Sequence, residues 1–136
     1  MQNNRQRAIA LIIVVLFVSL CSPLVTLAQD NEKGALLYLA NCAKCHGREG
    51  EGFLKLYPPI RESQYLKTNV SKIPCIIRNG LKGEITVGTT TFNQIMPAIQ
   101  QLTSEQIGQI IHYMQSSWDY SVTKTDVDGW LQNCTD

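Results

Sequence analysis

Cys42-Ala43-Lys44-Cys45-His46 places two thiols two residues apart, with an imidazole directly after the second. This C-x-x-C-H spacing is the one that attaches a c-type haem, in which the thiols add across the porphyrin vinyl groups and the adjacent histidine reaches the iron. Two intervening residues let both sulfurs reach neighbouring pyrrole substituents while the chain turns, and His46 comes under the ring without a further loop. Two other chemistries use cysteines so spaced. A redox dithiol needs a βαβ setting that this helical pattern lacks, and a zinc site built on all the cysteines beyond the leader needs free thiolates, which an oxidising compartment removes.

The compartment is read from what precedes the motif. Arg5 and Arg7 stand before an apolar run from Ala8 to Leu20, and Pro23 is followed by Thr26-Leu27-Ala28, the layout of a secretory signal with small residues three and one positions before a cut. Residues 1–28 are therefore expected to be a signal peptide, leaving a working domain of residues 29–136. The alternatives are an uncleaved membrane anchor and a lipoprotein acylated at Cys21; Leu20, where a small residue is wanted, speaks against the second. All three put the domain outside the cytoplasm, in the periplasm or otherwise exported, with membrane contact only if the leader is retained. The whole chain of 136 residues carries a net charge of +1, and removing Arg5 and Arg7 turns this to −1, which makes nucleic acid a poor partner. A chain of this length holds one small domain.

Cys75 and Cys134 remain after the haem pair. They are expected to form one disulfide tying the tail to the middle of the chain, worth roughly 3–4 kcal/mol if unstrained; two free thiols are the alternative.

Working outward, a first helix is expected from Asn31 to Asn41, capped by Asp30 or Asn31, with Gly34, Leu37, Tyr38 and Asn41 on one stripe leading into the motif. A glycine inside a helix costs about 1 kcal/mol against alanine, so Gly34 points to a close neighbour. Tyr57-Pro58-Pro59-Ile60 must be extended. Short helices are expected around Ser63–Lys67 and Ser71–Gly80, with Gly80 and Gly83 ending the second. From Glu84 to Phe92 apolar and polar residues alternate about Gly88, which predicts a small β-hairpin. Thr103-Ser104-Glu105-Gln106 is a capping box, and Ile107, Ile110, Ile111, Met114 and Trp118 form the buried face of the helix it opens. The tail from Asp119 to Asp136 is polar and is expected to wrap the surface until Trp130, Leu131 and Cys134 pin it.

Haem iron takes two axial ligands, and the candidates opposite His46 are few. Met114 falls on the buried stripe of the last helix, where methionine is core filler. His112 falls about 140° from that stripe's centre at about 100° per residue, facing solvent. Met96 lies in the loop Phe92-Asn93-Gln94-Ile95-Met96-Pro97, stiffened by Pro97 just before the last helix. Met96 is the favoured ligand; His112, Met114 or an open position are the alternatives.

Taken together, Gly34 and Tyr38, Cys42-Ala43-Lys44-Cys45-His46-Gly47, Tyr57-Pro58-Pro59-Ile60, Ile77-Arg78-Asn79-Gly80 with Gly83, Met96-Pro97 and the helix bearing Tyr113 resemble a class I monohaem c-type cytochrome of bacterial, exported type. The resemblance covers Glu32 to Trp118. It implies an all-α fold in which N- and C-terminal helices cross at Gly34 and near Tyr113 around one haem c, with a small hairpin inserted before the axial methionine. It implies also that the Pro58 carbonyl accepts the free N–H of His46, fixing the ring. The Glu84–Thr91 insertion, Cys75 and the tail with Cys134 lie outside the family pattern.

The function so implied is single-electron transfer, with the iron cycling between Fe(II) and Fe(III) under His46 and Met96, and no catalytic residue. Leu54, Ile60, Leu66, Ile77 and Ile95 are expected to exclude water. Ala43, Ile95, Pro97 and Ala98 are expected to form the docking patch for a redox partner such as a membrane oxidase or a dehydrogenase; Lys44 and Lys55 are expected foremost to be ordinary solvated surface, with steering of an acidic partner as the alternative. The alternatives are a haem domain with a labile sixth ligand, acting in peroxide reduction or gas sensing, and a fixed relay subunit of a larger dehydrogenase or oxidase.

Overall fold

A computed structural model describes residues 2–118 and 126–134, giving only the helical backbone for residues 2 and 16–28. The leader side chains Cys21, Thr26 and Ala28 and the tail residues 119–125 and 135–136 lie outside the described residues. The chain groups into two units, residues 1–30 and 31–136. Among the described residues, no helix is long and apolar enough to cross a membrane.

Six α-helices and one hairpin make up the described chain: α1 (Gln2–Asn41), α2 (Ala43–His46), α3 (Gln64–Thr68), a 3-10 turn (Val70–Lys72), α4 (Ile73–Asn79), β1 (Ile85–Val87), β2 (Thr90–Phe92), α5 (Ser104–Trp118) and α6 (Val127–Gln132). The expected start of a helix at Asn31 is not seen, because α1 continues through it. No glycine or proline lies between Pro23 and Gly34 to interrupt the helix. The amide of Asn31 serves a different purpose, its Oδ1 accepting from Ser116 Oγ of α5 at 2.8 Å.

The second unit is built on the crossing of the end of α1 with α5. Gly34 sits where a Cβ would lie 2.8 Å from Tyr113 Cβ and closer still to the Gln109 carbonyl, which explains a glycine inside a helix. One turn on, Tyr38 is fully buried, its ring centroid 5.1 Å from that of Trp118 and 5.6 Å from that of Tyr113, in tilted and edge-on contacts that aromatic quadrupoles favour. The five expected positions of the last helix, Ile107, Ile110, Ile111, Met114 and Trp118, are all buried. Its capping box closes reciprocally: Gln106 N–H donates to Thr103 Oγ1 at 3.2 Å, and Thr103 N–H to Gln106 Oε1 at 2.9 Å.

The middle segment divides more finely than its sequence suggests. The stretch expected as one helix from Ser71 to Gly80 is a 3-10 turn followed by α4, whose first turn holds Pro74 where no N–H is needed. Ser63 is buried and caps α3, its Oγ accepting from Leu66 N–H at 3.4 Å. The hairpin forms as expected, pairing Ile85 with Phe92 and Val87 with Thr90 around Gly88, which takes a positive φ of 62°. Cys75 of α4 and Cys134 after α6 are joined in a disulfide.

Candidate haem site

The motif is presented by a single helical turn. Cys42 ends the long helix, its N–H still donating to the Tyr38 carbonyl, and α2 carries Lys44, Cys45 and His46 round one further turn. Tyr38 fastens this turn from inside the core, its hydroxyl donating to the Gly47 carbonyl at 2.8 Å. Cys42 and Cys45 are free thiols and are not bonded to each other. Burial, and after it the neighbouring Cys45, pushes the Cys42 thiol up to about 11, so it is held protonated. With Cys75 and Cys134 joined, those two are not available as thiolates for a zinc site with Cys42 and Cys45.

His46 is oriented by a backbone carbonyl. Its Nδ1 lies 2.9 Å from the Pro58 oxygen, and since a carbonyl can only accept, Nδ1 bears the hydrogen and Nε2 keeps its lone pair. Burial moves the imidazole pKa down, opposed by this hydrogen bond, which favours the neutral ring that can ligate a metal. The Pro58 segment is itself seated on a glycine. A Cβ on Gly52, whose φ is +73°, would lie 2.6 Å from the Tyr57 carbonyl oxygen and 2.9 Å from the Pro58 carbonyl carbon. The Phe53–Tyr57 bridge closes this loop, and Gly52 N–H donates to the His46 carbonyl at 2.7 Å.

Met96 is held by its backbone. Leu81 and Met96 exchange two hydrogen bonds, of 3.0 and 2.9 Å, and Ile99 N–H donates to the Ile77 carbonyl at 2.9 Å. Gly80, with φ +78°, lies under this loop so closely that a Cβ would meet the Met96 carbonyl oxygen, with Ala98 N at 2.9 Å.

Cys42, Cys45, His46, Pro58 and Met96 all line one cleft of about 300 Å³. Its wall is otherwise mostly apolar, with Ile60, Leu66, Ile77 and Ile95 contributing as expected. A cleft of this volume, apolar with a few convergent polar groups, has the character of a cofactor site. A covalently held haem fits the donors present: two free thiols, an imidazole with an unprotonated Nε2 and a thioether on one cavity wall.

Three residues differ from their sequence reading. Leu54 does not line the cleft; it is 83% exposed on a turn with a positive φ of 51°, because the Phe53–Tyr57 bridge makes it the tip of a tight loop. His112 does not simply face solvent but is half-buried, and among the described residues its enclosed Nδ1 has no hydrogen-bond partner; it does not line the cleft. Met114 is core filler as expected, yet with Ile110 it also reaches the cleft.

Sequence reasoning also missed that the hairpin is a wall of the site. Ile85, Val87 and Phe92 face the cleft, on the apolar side of the alternation that predicted the strands. That alternation was the available signal, since a two-stranded hairpin must bury its apolar face against something.

The model of the cytochrome c family matches residues 31–118. The chain belongs to the cytochrome c family. Within that family it is 28% identical over 96 residues to a cytochrome c-552 of Thermus thermophilus, covering 68% of this chain and 64% of that protein. It is 27% identical over 101 residues to the cytochrome c subunit of a quinone alcohol dehydrogenase of Gluconacetobacter polyoxogenes, covering 69% of this chain and 21% of that one. The chain thus spans a little under two thirds of the Thermus protein and about a fifth of the dehydrogenase subunit. The cytochrome c domain carries covalently bound haem c, and the described fold is mostly helical, consistent with that family, with one small hairpin added.

Proposed function

We propose that this cytochrome c carries single electrons outside the cytoplasm, its haem joined through Cys42 and Cys45 and its iron held by His46 and Met96. The observation that carries the reading is the convergence of both thiols, the imidazole and the thioether on one cleft without an ionisable side chain other than His46, Cys42, Cys45 and two tyrosines among the described lining residues. When bound, haem supplies an iron that changes by one charge with little rearrangement, and a thioether ligand favours its ferrous state. The chain supplies the rest. The Pro58 carbonyl holds the imidazole in one tautomer and orientation. The Leu81 pairing holds the Met96 backbone, and the apolar wall excludes water. With His46 and Met96 both holding the iron, no position on it would be left for substrate.

The exposed residues Ile95, Pro97 and Ala98, with half-buried Ala43, form the docking patch for a redox partner, and Lys44, within the motif, and Lys55, on the following loop, are exposed and could steer an acidic one. The likeness to a dehydrogenase subunit supports a dehydrogenase as partner or host complex, and a membrane oxidase is a second acceptor of the same chemistry. Residues 1–28 are a signal peptide in this reading, or an anchor if uncleaved. A peroxide-reducing or gas-sensing role would need a labile sixth ligand and a proton donor beside it; Tyr57, Tyr65 and Ser63 offer hydroxyls to the cleft, and no second histidine or carboxylate does so among the described residues.

Replacing Met96 by alanine tests the assignment. Haem remains covalently bound, the far-red sulfur-to-iron band disappears and carbon monoxide binds readily; a variant that keeps the band excludes Met96.

A further inference from the structure

We propose that the Cys75–Cys134 disulfide is a positioning element for the sixth iron ligand: by fixing α4 to α6 it holds the segment that carries Met96, and its loss opens the coordination position while the fold persists. The inference rests on the His46/Met96 reading above and concerns how that ligand is kept in place.

The segment after the hairpin supplies little packing of its own. Ile95 is 58% exposed, Pro97 and Ala98 are exposed, and of residues 93–100 only Ile99 enters the core. Its backbone is anchored to α4 and the turn after it. The paired bonds with Leu81 and the bond from Ile99 to the Ile77 carbonyl are joined by Arg78 Nη1 donating to the Gln100 carbonyl at 3.3 Å. Residues 77–81 thus hold residues 96–100 along their length, and Met96 is as steady as α4.

α4 itself is only seven residues long, too short to be stable as a helix without tertiary support. Inward, Ile73, Pro74 and Ile77 are buried. On another side, half-buried Cys75 is bonded to Cys134, just beyond the six-residue α6. α6 is seated in turn by Val127, buried where its Cγ2 would lie 3.6 Å from a Cβ on Gly108 of α5. The disulfide spans 59 residues of sequence and joins two short helices, neither of which is fastened by an internal covalent link. Removing it leaves the α1–α5 crossing untouched and lowers the free energy of opening α4 and α6 as a local unit. Because a ligand such as carbon monoxide binds only the fraction of molecules with an open position, its apparent rate rises with that fraction.

The test compares the holoprotein with its Cys75→Ser/Cys134→Ser variant, with Val127→Ala as a variant that loosens α6 and keeps the bond. The double variant is expected to retain its helical circular dichroism, to lose the far-red band at a lower temperature than it unfolds, and in the ferrous state to combine with carbon monoxide about tenfold faster. Val127→Ala is expected to unfold earlier with its carbon monoxide rate within about twofold of the parent. Should the serine pair fail to fold, reduction of the native disulfide with a dithiol in the ferrous holoprotein gives the same readout. An unchanged carbon monoxide rate, with band and fold lost together, or the same acceleration in Val127→Ala, would overturn the proposal and leave the disulfide a general brace. A parent protein without the far-red band would overturn the His46/Met96 reading itself, and this inference with it.

Discussion

Leu81 and Met96 face each other as a two-way backbone pair, Leu81 N–H to Met96 O at 3.0 Å and Met96 N–H to Leu81 O at 2.9 Å. The methionine is therefore placed by main-chain hydrogen bonds, with its side chain free to serve the cleft. His46 is placed in a related way, by a main-chain carbonyl at Pro58. In both cases a glycine with positive φ, Gly80 or Gly52, lets the supporting backbone approach.

Gly52→Ala should therefore be felt at the iron. A Cβ there would press on the Tyr57 and Pro58 carbonyl groups at a φ that alanine disfavours, lengthening the bond that makes the imidazole a stronger donor. A weaker donor stabilises ferric iron less, so the midpoint potential should rise while the far-red band is kept. Spectroelectrochemical titration reads this; a potential equal to or below that of the parent would contradict it.

Gly34→Ala tests the helix crossing. In an isolated helix alanine would stabilise by about 1 kcal/mol. Here its Cβ would collide with the Gln109 carbonyl and Tyr113, so a net loss of about 1–3 kcal/mol is expected. Denaturant unfolding of the holoprotein decides the sign, and a stabilised variant would show that α1 and α5 do not meet so closely.

Thr103→Ala removes one half of the reciprocal cap on α5 and should cost about 1 kcal/mol, with the visible spectrum unchanged. A shift in the spectrum would mean that the start of α5 bears on the haem, contrary to the fold described.

What could be read from sequence was whatever is decided within a few residues. The C-x-x-C-H turn, the Thr103–Gln106 box, the hairpin about Gly88 and the stripe from Ile107 to Trp118 each follow from local spacing, and each is present. The odd glycine at position 34 was legible as a close contact, though only the family resemblance named Tyr113 as its partner. What was not legible depends on distant chain. The Asn31 cap was lost to continued helix on one side and to Ser116 on the other. Leu54 has the composition of a core residue, but the short bridge around it turns it outward. Met114 has the periodicity of a core residue and also reaches the cleft, because the core and the site share a wall.

The central claim is ligation by His46 and Met96, and the visible absorption spectrum of the haem-loaded protein, oxidised and then reduced with no added ligand, tests it most directly. The oxidised form should show the weak far-red sulfur-to-iron band, and the reduced form should resist carbon monoxide. Absence of that band together with immediate carbon monoxide binding would contradict the claim and leave a haem with an open sixth position.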